Sequence, residues 1–230
     1  MNLISICIPT YEMGGRGHLF LKQSFDKLTR QIFKDFDIII SDHSKDRLIE
    51  DLCLEYSNRL NIKYLKYNEK FGNSSANINN AIKNAHGKLI KILFQDDFLF
   101  SENSLKQIAD NFDFNKDKWL ITGCIHSEDG TTLFKPFFPK YNRFIHLGNN
   151  TISSPSVLTI KNDSPILFDE KLIWLMDCDY YKKCFIKFGD PKIITEINIV
   201  NRIGSHQVSN TLVKMTTRIK ELFYEIIKYK

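Results

Sequence analysis

The sequence predicts an α/β fold in which a mainly parallel sheet is flanked by helices, and three observations predict it. Through the first hundred residues, short β-branched runs alternate with single helical segments, the mark of βαβ units. One of those runs, 89–94, is interrupted only by Lys91 and leads straight into Asp96 and Asp97. Two adjacent carboxylates are costly to bury without a cation or donors, and the carboxyl edge of an open α/β sheet is where ligands bind. The remainder carries one hairpin signal and two further strand-like runs, enough to extend the sheet. A solvated turn or a cap for a helix near Ser101 is the plainer account of the Asp pair.

Taken in order, residues 3–8 read as a strand ended by Pro9. Residues 19–33 carry Leu21, Phe25, Leu28 and Ile32 at helical spacing, and 36–41 form a strand that delivers Asp42 at its end. A helix at 49–56, a third strand at 62–65 and a helix at 77–86 stopped by Gly87 lead into the Asp96–Asp97 strand. Residues 105–112 predict a helix. Two strands, 119–125 and 131–138, surround an Asp129-Gly130 turn, followed by a loop at 142–150 and a strand at 154–161. A helix from Met176 to Phe188 is stopped by Gly189, a last strand covers 193–200, and the tail from Leu212 is a basic amphipathic helix.

The 230 residues suit one sizeable domain with a small appendage, and the formal charge of +5 favours anionic partners such as nucleotides or an acidic membrane surface. The lysines are scattered among acids, which excludes a nucleic-acid footprint. Five cysteines without a CxxC pair point to a reducing compartment and against a zinc site or disulfide scaffold. The amino terminus runs directly into a strand, and no apolar run approaches membrane-spanning length, so a cytoplasmic location is expected.

No P-loop is present, and the GGRG stretch at 14–17 lacks dinucleotide spacing. It is similar to the phosphate-holding loop of sugar nucleotidyltransferases, with a flexible loop as the alternative. Asp42 is placed to accept a hydrogen bond from a base or ribose, with Asp46 capping the following helix. Asp177 and Asp179 would stand about 200° apart on a helix, so only one can face a cleft. Asp177, between Met176 and Cys178, has the more apolar surroundings, which would raise its pKa toward a useful general base; an N-cap is the alternative. Residues 201–210 follow the last strand as a polar lid or linker containing Arg202 and His206. Tyr180 and Tyr181 could stack on a sugar or pack in the core.

A first strand ending IPTY, a second ending SDHSKD, the segment NEKFGNSSANINNAIKNAHGKLIKILFQDD and a later MDCDYYKKC resemble the inverting GT-A glycosyltransferases of family 2. The resemblance implies one GT-A domain over 1–210, with a nucleotide-binding half (1–100), an acceptor-binding half (101–210) and a terminal helix at 211–230. It places Pro9, Thr10, Tyr11, Glu12 and Asn73 beside the nucleotide, Asp42 on the base, and Asp96 on ribose or metal. Asp97 becomes the metal ligand, Asp177 the catalytic base, and Arg202 with His206 a cover for the diphosphate. Three departures stand out: Glu12 where Asn is frequent, Gln95 for the first carboxylate of Asp-x-Asp, and Met176 for the Glu before the base.

The expected activity is inverting transfer of a hexose from a UDP- or dTDP-sugar to a glycan or lipid-linked oligosaccharide hydroxyl, using Mn²⁺ or Mg²⁺. Bacterial surface polysaccharide or lipooligosaccharide is the expected product, and a homo-oligomer is compatible with it. The tail is expected to meet either the inner face of the cytoplasmic membrane or the protein's own surface. A sugar nucleotidyltransferase and a non-catalytic glycan-binding protein are the alternatives.

Overall fold

The computed structural model describes residues 2–204 and 213–230. Strand β1 (Ile4–Thr10) is buried along its whole length and lies at the centre of a parallel half-sheet. β2 (Phe36–Asp42) runs on one side in the register Ile4↔Phe36 to Thr10↔Asp42, and β3 (Ile62–Lys66) lies beyond it. On the other side β4 (Leu89–Ile92) pairs Ile4↔Leu89 to Cys7↔Ile92. Helices α1 (Gly17–Thr29), α2 (Leu48–Tyr56) and α3 (Ser74–Lys83) make the crossovers, as the alternation requires. The carboxyl ends of β1, β2 and β4 therefore meet along one edge.

The second half departs from the mainly parallel sheet expected. After the two-residue β5 (Phe98–Leu99) and α4 (Ser104–Asn111), β6 (Trp119–Ser127) folds back through the Asp129-Gly130 turn onto β7 (Phe134–Phe137). β8 (Leu158–Lys161) is antiparallel to both β4 and β6, while β9 (Lys192–Arg202) is parallel to β6 and antiparallel to β5. The sheet is mixed, in the order β3-β2-β1-β4-β8-β6-β9-β5 with β7 on β6. The strand expected at 154–161 begins only at Leu158, because Pro155–Val157 forms a 3₁₀ turn. Pro155 has no N–H for a ladder, and the hydroxyls of Ser154 and Ser156 bond Asp97 and the Phe94 N–H instead.

The loop from β1 to α1 is pinned to the end of β4 by Gln95. Its Nε2 donates to Tyr11 O at 3.0 Å and its Oε1 accepts from Tyr11 N at 2.9 Å, an amide matched to one residue's backbone. Gly17 makes the approach possible, since a Cβ there would collide with Tyr11 O and Gln95 Nε2.

Helix α5 (Met176–Phe188) follows, and α6 (Met215–Lys228) docks beside it with the polar side inward. Asp179 on α5 is fully buried and accepts from Lys228 Nζ and Tyr229 Oη, each at 2.5 Å, with Lys183 Nζ 2.8 Å away. Glu221 and Glu225 are also buried, while Met215, Ile219, Phe223, Ile226 and Ile227 are exposed. The apolar stripe read from the sequence thus faces outward. Asp179 explains the inversion: a carboxylate inside a helix pair needs cations, and Lys228 supplies one.

Two outcomes test these packing arguments. Gln95→Glu keeps the shape but removes the donor to Tyr11 O and adds a charge beside Asp96. It should cost about 1–3 kcal/mol in urea unfolding; an unchanged midpoint would show that the bridge contributes nothing. Burial, followed by Asp179, lifts the Glu225 carboxyl from 4.5 to about 8, opposed by Lys228 and Lys183. A carboxyl raised on folding leaves stability intact below the unfolded value and removes it as pH climbs to the folded one. Glu225→Gln should therefore flatten the fall in melting temperature between pH 4.5 and about 8. The same slope in parent and variant would contradict this.

Candidate functional site

The carboxyl edge of β1 and β4 opens into a cleft of about 440 Å³. Its lining includes Pro9 and Tyr11 from the end of β1, Gln95, Asp96 and Asp97 after β4, Asn150 and Ser154 before β8, and Ile173, Trp174 and Asp177 at the head of α5. The sequence-predicted residues Pro9, Tyr11, Asp96, Asp97, Asp177 and Arg202 are brought together here, although Asp97 and Asp177 stand 80 positions apart in the chain.

Asp97 is almost wholly buried. Its Oδ1 accepts the Arg202 N–H at 2.8 Å and its Oδ2 accepts from Ser154 Oγ at 3.0 Å. Burial and then the neighbouring Asp96 push its pKa up to about 7, against the hydrogen bonds from Ser156, Arg202 and Ser154. Lys91, the residue that interrupts the strand run in the sequence, lies beneath this region with no exposure. Its ammonium donates to Ser156 O and, at 3.4 Å, to Leu158 O, and burial lowers its pKa to about 7 despite the attraction of Asp97. Buried cation and buried carboxylate thus share the turn 155–157.

Asp177 lies in the first turn of α5, where the helix dipole favours an anion. Its Oδ1 accepts the Cys178 N–H at 2.8 Å and its Oδ2 accepts from Asn150 Nδ2 at 2.7 Å. Burial nevertheless raises its pKa to about 6, suited to taking a proton near neutrality. Asp179 points instead toward α6, which separates the two carboxylates as helical spacing requires. Tyr180 and Tyr181 are both fully buried, their hydroxyls donating to Ile166 O and Ser153 O. Neither lines the cleft.

Asp42, Thr10, Glu12 and Asn73 do not line the cleft. Asp42 has no exposed surface: it accepts from Thr10 Oγ1 at 3.0 Å, Ser44 N at 3.0 Å, Ser44 Oγ, Tyr64 Oη at 2.8 Å and Lys66 Nζ at 3.2 Å. Thr10 is likewise buried, its carbonyl accepting from Asn77 Nδ2 at 3.0 Å. Glu12 accepts the Lys45 N–H at 2.6 Å. Asn73 is the N-cap of α3, accepting from Ala76 N at 2.9 Å and donating to Glu170 O at 2.8 Å. The Arg202 guanidinium donates to Asp96 O and Gln23 Oε1 and lies 4.6 Å from the Phe20 ring centre. His206 lies outside the described residues.

Among the described residues no group of three His, Cys, Asp or Glu side chains forms a metal cage. The adjacent carboxylates of Asp96 and Asp97 are hard oxygen donors in the cleft lining, and Asp97 is a buried acid whose ionised form a cation would favour. That donor set fits Mg²⁺ or Mn²⁺, which take one or two carboxylates and complete their shell with phosphate oxygens and water. Asn150, Ser154, Ser156, Lys91 and Trp174 were not singled out for the site by sequence reasoning. Only Lys91, a charge inside a strand run, carried a local signal.

The chain matches Glycosyl transferase family 2 over residues 5–160. It is 30% identical to an uncharacterized glycosyltransferase of Rickettsia prowazekii (strain Madrid E), over 98% of this chain and 72% of that protein. It is 27% identical to the minor teichoic acid biosynthesis protein GgaB of Bacillus subtilis (strain 168), over 91% of this chain but only 22% of that one. S. aureus TarS 1-349 in complex with UDP superposes with a TM-score of 0.70 at 19% identity, covering 98% of this chain and 71% of that chain. A mannosyltransferase from Pyrobaculum calidifontis in complex with GDP-Man and Mn²⁺ superposes with a TM-score of 0.69 at 12% identity, covering 100% and 65%. The longer TarS chain is spanned to 44%. The fold is therefore GT-A, and the chain belongs to glycosyl transferase family 2, whose members transfer a sugar from a nucleotide-sugar donor.

Proposed function

We propose that this chain transfers a hexosyl group, with inversion, from a UDP- or dTDP-sugar to a hydroxyl of a bacterial surface glycan. The observation that carries this reading is one cleft lined both by the Asp96–Asp97 pair after β4 and by Asp177 at the head of α5, whose pKa burial raises to about 6. The UDP complex of TarS supports a uridine donor, and the teichoic acid role in GgaB's name supports a surface polymer.

The nucleoside would lie over Pro9 and Tyr11. Asp42 would shape its seat from behind by holding Thr10, Ser44, Tyr64 and Lys66, and Asn73 would fix the start of α3. Asp177 Oδ2, oriented by Asn150, would take the acceptor hydroxyl's proton as the oxygen attacks C1 from the face opposite the nucleotide. Asp97, aided by Asp96, would hold Mg²⁺ or Mn²⁺, which when bound would offset negative charge on the departing diphosphate; the Mn²⁺ complex of the Pyrobaculum mannosyltransferase supports that assignment. Arg202, which lines the same cleft, would tie the Asp96 backbone to Gln23 of α1.

A panel of nucleotide sugars with Mn²⁺ tests this directly. Release of free nucleoside diphosphate is expected, and release of pyrophosphate from a nucleoside triphosphate would point to a nucleotidyltransferase. Activity should rise with pH through about 6 as Asp177 ionises. Asp177→Asn should lower turnover by roughly 100-fold or more and remove that acid limb. Asp97→Ala should abolish transfer, and full activity in either variant would overturn the assignment.

We also propose that the outward face of α6 rests on the anionic inner face of the cytoplasmic membrane, near a lipid-linked acceptor. Among the described residues no helix is long and apolar enough to cross a membrane. Ile219, Phe223, Ile226 and Ile227 are exposed, and Ile226 shares a surface hollow with Phe144 and Leu147 beside Arg143 and Lys182. Each basic residue near such a surface adds about 1 kcal/mol. The protein should co-float with anionic vesicles at low salt and not with neutral ones. Failure to co-float would assign that face to protein contacts.

A further inference from the structure

Helix α6 reaches the cleft through one side chain that the transferase reading does not use. The Glu221 carboxylate is buried and accepts three consecutive backbone N–H groups: Ile173 at 2.9 Å, Trp174 at 2.9 Å and Leu175 at 2.8 Å. Ile173 and Trp174 line the cleft, and Leu175 is the N-cap residue of α5, whose own side chain offers no cap. Two residues further on stands Asp177. The N–H groups of the turn that leads into α5, its N-cap residue included, are thus met by a carboxylate from another helix, at the end of the dipole that favours negative charge. The Arg218 guanidinium, one turn earlier on α6, lies 5.3 Å from the Trp174 ring centre. Gly148 closes the ring from another direction: a Cβ added there would lie 3.1 Å from Trp174 Cη2.

We infer that Glu221 is a positioning residue: through it α6 sets the turn 173–175, and so fixes Trp174 and Asp177 on the acceptor side of the cleft while leaving the donor side untouched. Gln95, Asp96, Asp97 and Pro9 are fixed by β1, β4 and β9, none of which contacts Glu221 through a hydrogen bond among those described. Truncating Glu221 leaves three backbone donors at the head of α5 without their acceptor. The turn must then move to find others, and Trp174 moves with it. The catalytic consequence rests on the transferase reading; the movement of Trp174 does not.

The test uses the whole chain labelled with 5-fluorotryptophan. Its two tryptophans give one resonance from Trp174 and one from Trp119, which is buried in β6 and serves as the fold control. Trp174→Phe assigns the pair. Glu221→Ala should shift or broaden the Trp174 line while the Trp119 line and the affinity for UDP stay as in the parent. Donor turnover should fall by roughly 100-fold, the scale of a catalytic group misplaced by an ångström. Glu221→Gln, which keeps one acceptor oxygen, should recover part of both effects. An unmoved Trp174 line in Glu221→Ala overturns the inference. So does joint loss of both tryptophan lines and UDP binding, which would make Glu221 a general stability residue. If the parent binds UDP but transfers no sugar, the transferase reading fails while the Trp174 comparison still decides the role of Glu221.

Discussion

A carboxylate kept out of water at the end of β4 is the constraint on which the cleft depends. Asp97 cannot rest there unaided, and the surrounding elements are arranged around its needs. The turn 155–157 replaces the first part of the strand expected there, so that Ser154 can donate to Asp97 and Ser156 can meet Phe94 N. β9 extends to Arg202, whose backbone N–H supplies another donor. Lys91 adds a buried amine whose pKa burial lowers, with Asp97 opposing that fall. These contacts join β4, β8 and β9, which explains how an antiparallel half can continue a parallel one at this edge.

The same constraint accounts for two departures from the family pattern. Gln95 and Met176 are uncharged where a carboxylate is usual, and both line the cleft. Asp97 already carries a raised pKa from burial and Asp96, so another carboxylate at position 95 would raise it further. The amide instead gives both a donor and an acceptor to Tyr11, which a carboxylate cannot do. Opposite, Asn150 donates to Asp177 in a place where Met176 can offer no hydrogen bond. Asp177 is supported by a neutral amide, and its pKa of about 6 is not driven further upward by a second acid at position 176.

What was legible in the sequence is what repeats locally. The β-branched run around Ile90 and Ile92, the helix from Met176 stopped by Gly189 and the Asp129-Gly130 turn each carry their own period or punctuation; the first two are present, and the hairpin is present with its second strand shortened to Phe134–Phe137. The Asp96–Asp97 pair was legible because a strand end is a definite place in an α/β sheet. Its supports were not. Asn150 is 27 positions from Asp177, Ser154 is 57 from Asp97, and Glu221 is 46 from Leu175, so no window of sequence contains both partners. Pro155 shows the other limit: the stretch has the apolar, β-branched pattern of a strand from Ser154, although the side chains of Ser154 and Ser156 are engaged by Asp97 and Phe94 N.

Helix α6 shows why an amphipathic pattern fixes the existence of a face but not its direction. Hydrophobic periodicity alone favours the apolar stripe inward. The deciding contribution is electrostatic and belongs to the partner: Asp179 and the N–H groups of residues 173–175 present charge and donors that only the polar side of α6 can meet. Lys228 and Glu221 meet them about two turns apart on one helix, with Glu225 carried in between and its pKa raised to about 8, first by burial. The apolar side is then outward because the polar side is engaged. One helix thus holds the turn 173–175 from its inner face and exposes an apolar surface on its outer face, so the proposed membrane contact and the setting of Trp174 are demands on the same element.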